Sequence, residues 1–80
     1  MEPFEALQQV VKPDLESIFG KALTSSILLT ARTKSGAPLI GLNRDQFLSM
    51  VECICQDQKV LDLWGSSGTN DKLGRWKNSV

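Results

Sequence analysis

The stretch Ser26–Cys55, SILLTARTKSGAPLIGLNRDQFLSMVECIC, decides how the chain is read. From Ile27 to Thr33 the residues alternate. Ile27, Leu29 and Ala31 fall to one side, and Leu28, Thr30, Arg32 and Lys34 to the other, as in a half-buried strand. Ser35-Gly36 has the composition of a tight turn. Leu39–Leu42 then reads as the return strand of a β-hairpin, with Pro38 at its start because proline has no N–H for a ladder. Asn43 follows as a helix cap. Gln46, three residues on, completes a capping box, and Leu42 and Phe47 stand at the positions of a hydrophobic staple. Asp45 lies in the first turn, where the helix dipole favours an acid.

Outward toward the N-terminus, Phe4, Leu7, Val11, Leu15, Ile18 and Ala22 recur at steps of three and four and predict a helix over 3–23. The stripe keeps its phase across Pro13, so proline either kinks this helix or opens a second one there. Gly20 inside the pattern reads as a point of close packing. Outward toward the C-terminus, the faces of 47–55 and 60–64 disagree. Phe47, Leu48, Val51, Ile54 and Cys55 share one side of a helical wheel, whereas Val60, Leu61, Leu63 and Trp64 fall mostly opposite. A break near 56–59 and a third strand at 60–64 fit that pattern, and a third strand makes a sheet viable where a lone hairpin is marginal. The expected fold is therefore α+β: a helix kinked at Pro13, a β-hairpin, a capped helix and a third strand, in the order α-β-β-α-β. The expected organisation is a domain over 1–64, then a flexible joint and basic tail over 65–80, docked or free. No internal repeat is read.

Eighty residues make one domain, and a core this small leaves a monomer marginal, which self-association would relieve. Apolar residues at 41% suit a globular chain. No apolar run is long enough to span a bilayer, and Met1–Val11 lacks the pattern of a signal peptide. The two cysteines, Cys53 and Cys55, are poor material for a disulfide framework and suggest a reducing, cytoplasmic setting. On a helix their spacing points them apart, so they read as packing residues and no metal site is expected. The net charge is zero, which argues against bulk electrostatic binding of nucleic acid. The bases are nonetheless clustered: residues 32–44 hold three and no acid, and residues 63–80 hold three and one acid.

The chain has no histidine and no tyrosine, which removes the commonest general base and every His-dependent triad. Gly65–Asn70, GSSGTN, fails the phosphate-loop pattern because Asn70-Asp71 stand where Gly-Lys is required. No enzyme and no cofactor is expected. The expectation is a small non-enzymatic protein-interaction module, an adaptor or regulatory subunit, that self-associates as a homodimer or sits in a larger complex. Its partner contact is assigned to the sheet edge or to the tail, through Leu73, Arg75, Trp76 and Lys77; Leu73 and Trp76, three residues apart, equally suit docking on the core, and an undocked Trp76 among bases makes an interface anchor. The alternative is a nucleic-acid-binding regulator that uses Arg32, Lys34 and Arg44 of the hairpin with Lys72, Arg75, Trp76 and Lys77 of the tail. The order helix–hairpin–helix–strand, with GxPL at Gly36–Leu39, resembles the first half of a roadblock-type dimerisation domain, without that family's further strands and final helix; no residue role is carried over from it.

Overall fold

Helix replaces strand throughout the computed structural model, which describes residues 1–38 and 41–80. Pro3 sits in the first turn of α1 (Pro3–Ala6), where its missing N–H would have no partner anyway, and the Glu2 carboxylate accepts from the Phe4 N–H at 3.2 Å. A π-helical turn, Leu7–Val11, carries the chain on into α2 (Lys12–Ser35). That turn answers Pro13. Proline cannot donate to the ladder, and widening the preceding turn lets the Lys12 N–H reach Leu7 O, five residues back.

α2 is bent at Gly20, whose φ of 78° and ψ of 171° are not helical. A Cβ built there would touch nothing, so glycine is required by conformation and not by close packing. The stretch 21–35 then buries Thr24, Ile27 and Ala31 on one face. It stops at Gly36, which adopts the left-handed conformation and donates its N–H to Arg32 O at 3.0 Å. Arg32 and Lys34 occupy the last turn, where the helix dipole favours cations.

α3 (Arg44–Cys55) opens on the expected cap. The Gln46 N–H donates to Asn43 Oδ1 at 2.8 Å, and the Asn43 N–H donates to Gln46 Oε1 at 2.9 Å. Leu42 and Phe47, the staple pair, are both in the core. Asp57 caps α4 (Gln58–Lys77), accepting from the Lys59 N–H at 2.9 Å. α4 is bent at Gly65, with φ 70° and ψ 173°. One core joins all four helices and the π turn: Ala6, Leu7, Val11, Leu15, Ile27 and Ala31 meet Phe47, Val51, Ile54, Val60 and Trp76. The accessible surface, 4557 Å², is close to the roughly 4800 Å² that size scaling gives for a folded monomer of this mass.

Several expectations are corrected. The α+β fold gives way to an all-helical one, with no strand among the described residues. The first strand of the hairpin is the second half of α2, and Ser35-Gly36 is a helix C-terminus, not a hairpin turn. Of the return strand, Leu39 and Ile40 lie outside the described residues, while Gly41 has a positive φ of 76° and Leu42 precedes the α3 cap. The third strand, 60–64, is the first part of α4; the break before it is real, but Asp57 restarts a helix. Residues 65–80 are helical as far as Lys77, and Trp76 lies in the core. Without strands, the likeness in element order to a roadblock-type domain lapses.

Candidate interaction surface

Trp76 is the pivot of the site and lies inside it: the side chain is 0% exposed. Its Nε1–H donates to Asp14 Oδ2 at 3.0 Å, across 62 residues of sequence. The Trp64 ring meets it edge-on at 6.0 Å, and Phe19 meets Trp64 at 6.2 Å with the planes tilted by 60°. Lys72 Nζ lies 5.4 Å over the Trp64 ring and 3.8 Å from the same Asp14 oxygen. Three aromatics, a carboxylate and an ammonium thus clasp α4 to the first part of α2, and the indole N–H is satisfied as a buried one must be.

The remaining sequence-assigned residues disperse. Leu73 is half-buried against the core, Arg75 is exposed, and Lys77 Nζ reaches Glu52 Oε1 at 3.0 Å. Trp76 can meet no partner without opening the fold, so the four tail residues do not form one outward surface. Arg32 and Lys34 close α2, Arg44 opens α3 on the far side of the connecting segment, and Lys72 leans on Asp14 and Trp64. The strand face on which Arg32 and Lys34 were to stand together does not exist.

Cys55 is buried, and its thiol donates to Thr69 O at 3.9 Å. Burial pushes it up to about 11; nearby Lys77 opposes the shift and Glu52 adds to it. It is therefore a neutral thiol at physiological pH and not a nucleophile. Among the described residues no group of His, Cys, Asp or Glu is arranged to hold a metal, and no helix is long and apolar enough to cross a membrane. A cavity of about 460 Å³ opens between the end of α3 and the bend of α4, lined by Glu52, Gln56, Ser66, Thr69, Asn70 and Leu73 among others. Its polar groups converge on no single point that the hydrogen bonds identify.

Six large apolar side chains face outward among the described residues: Met1, Phe4, Ile18, Leu23, Leu29 and Leu63. Ile18 is 44% exposed and Leu63 is 51% exposed. Each stands one residue before a ring of the Phe19–Trp64 pair, and each precedes a bend glycine by two. Sequence reading placed Ile18 in the core stripe and Leu63 in a strand. The signal that identifies them is their matching context, SIFG at 17–20 and DLWG at 62–65. No protein-family model, curated protein or solved structure matches this chain, so its function is read from these residues alone.

Proposed function

We propose that the chain is a small non-enzymatic protein-interaction module, an adaptor or regulatory subunit, whose contact face carries Ile18 and Leu63 around the Phe19–Trp64 pair. The observation behind it is that two of the exposed aliphatic side chains, Ile18 and Leu63, stand at matching positions, each next in sequence to an aromatic ring that is itself only partly buried. Scattered exposed leucines need no explanation, but a matched pair flanking an aromatic contact has the make-up of an interface core. Because the monomer already buries a normal share of its surface, self-association through this face is reversible and not obligatory. A cytoplasmic setting belongs to the same proposal and rests on Cys53 and Cys55, which a helix holds two residues apart and pointed in different directions.

Sedimentation over a wide concentration range tests it. The wild-type chain is expected to associate at high concentration, and the double variant Ile18→Ser, Leu63→Ser to stay monomeric with unchanged helicity. A wild-type chain that remains strictly monomeric, or a double variant that associates equally well, overturns the reading. The nucleic-acid alternative gains no observation from the placement of Arg32, Lys34, Arg44 and Lys72.

A further inference from the structure

The two bends are copies of one another. Forty-five residues apart, Leu15 matches Val60, Ile18 matches Leu63, Phe19 matches Trp64, Gly20 matches Gly65, Thr24 matches Thr69, and Leu28 matches Leu73. The agreement extends well beyond residue type. Leu15 and Val60 are both fully buried, and Ile18 and Leu63 are both exposed. The glycines share an unusual conformation, 78°/171° against 70°/173°. Thr24 and Thr69 are both buried, and neither hydroxyl finds a hydrogen-bond partner. Upstream the match continues at a separation of forty-four, pairing Ala6, Leu7, Val10 and Val11 with Met50, Val51, Ile54 and Cys55. The one-residue difference falls where the second half breaks between α3 and α4 and the first half makes its π turn before Pro13.

We infer that the chain is a tandem duplication of one helix–glycine bend–helix unit, that its two halves are each other's binding partners, and that the same buried surface fits the complementary half of a second copy of this chain. Phe19 and Trp64, which occupy equivalent positions, touch each other, as like surfaces do across a two-fold axis. The core draws on both halves at once. Units of about 40 residues rarely fold without such a partner. The chain passes from one half to the other over 36–43, where Gly36 and Gly41 both hold positive φ. Within one chain the linker supplies a high effective concentration of the correct half, so the closed monomer dominates. A chain that opens at the linker presents each half's surface to the other half of a neighbour, and exchange follows without any new contact. This exchange uses the buried interface and is independent of the Ile18–Leu63 face.

Complementation between full-length chains tests the inference. One chain carries Leu15→Asp in the first half and the other carries Val60→Asp in the second. Each alone is expected to be unfolded, because a carboxylate enters the shared core. Unfolded together and refolded as an equal mixture, they are expected to yield a heterodimer in which two intact halves pair. About half of the wild-type helical signal should return, with one shielded Trp76. A mixture as unfolded as its components overturns the inference, and so does either single variant that folds alone. In the otherwise wild-type chain, Gly36→Val with Gly41→Val strains the closed linker and is expected to raise the dimer fraction after refolding at high concentration. That dimer should exchange subunits only slowly and should persist when Ile18→Ser and Leu63→Ser are added, which separates it from surface self-association. A linker variant that stays wholly monomeric, or a dimer lost on adding the surface pair, contradicts it.

Discussion

Replacing Trp76 by alanine should bring this chain to the edge of unfolding. A buried tryptophan removes about 150–250 Å² from water, worth roughly 4–6 kcal/mol at about 25 cal/mol per Å², and Trp→Ala substitutions in cores cost about 3–5 kcal/mol. The indole N–H bond to Asp14 adds little beyond this, because the Asp14 side chain keeps 20% of its exposure and rehydrates once the donor is gone. A domain of this length holds about 4–12 kcal/mol in total, so a loss of about 4 kcal/mol consumes a third or more of it. Trp76→Phe should cost less, about 2 kcal/mol, because it keeps one ring against Trp64 while losing the donor. Urea unfolding followed by far-ultraviolet circular dichroism measures both losses. The midpoint should fall slightly for phenylalanine and severely for alanine. A loss below about 0.5 kcal/mol for Trp76→Ala, the size of an ordinary surface change, would show that the last helix does not dock and would refute the clasp.

Other perturbations test separate parts of the fold. Gly20→Ala and Gly65→Ala place a Cβ on backbone that L-residues rarely adopt; each should cost about 1–3 kcal/mol in chemical unfolding, and equal costs would support their equivalence. Asn43→Ala removes the cap acceptor and should cost about 1 kcal/mol, visible as increased amide exchange in the first turn of α3. Thr24→Val and Thr69→Val each delete a buried hydroxyl that has no partner and should raise stability by about 1 kcal/mol; a clear loss would mean that the hydroxyl is bonded in solution. Cys55 links stability to pH. Its pKa is raised on folding from 9.0 to about 11, so the stabilisation from a neutral buried thiol is fully present below pH 9 and is lost as pH rises to about 11 and beyond. The loss should be on the order of 2 kcal/mol, read as a fall in the urea midpoint that is absent in Cys55→Ala.

The parts of the fold that were legible in sequence are those fixed by local chemistry. Asn43, Gln46, Leu42 and Phe47 specify one helix start without help from distant contacts, and the structure places them as a complete capping box and staple. The break between Cys55 and Val60 was also legible, because two apolar faces out of phase cannot share one straight helix. The segment 27–34 misled because Ile, Leu, Thr and Ala in alternation satisfy a period of two, while Thr24, Ile27, Leu28 and Ala31 satisfy a helical spacing equally well. What settles it is tertiary: Ile27 and Ala31 have a core of α3 residues to enter, and Gly36 supplies a helix C-terminus. The fate of Trp76 was not legible, since nothing local shows that Asp14, sixty-two residues earlier, will receive its N–H. The duplication was within reach. SIFG and DLWG share a single identical residue, but their aliphatic–aromatic–glycine pattern recurs at the same distance from a threonine.

The contact between the Phe19 and Trp64 rings tests the account most directly, because it exists only if both glycine bends form and the two halves meet. A nuclear Overhauser experiment on the full chain should show cross-peaks between the ring protons of Phe19 and those of the Trp64 indole, consistent with a centroid separation of 6.2 Å. Rings assigned without any cross-peak, in a folded chain, would contradict the pairing of the halves on which the fold, the contact face and the exchange between copies all rest.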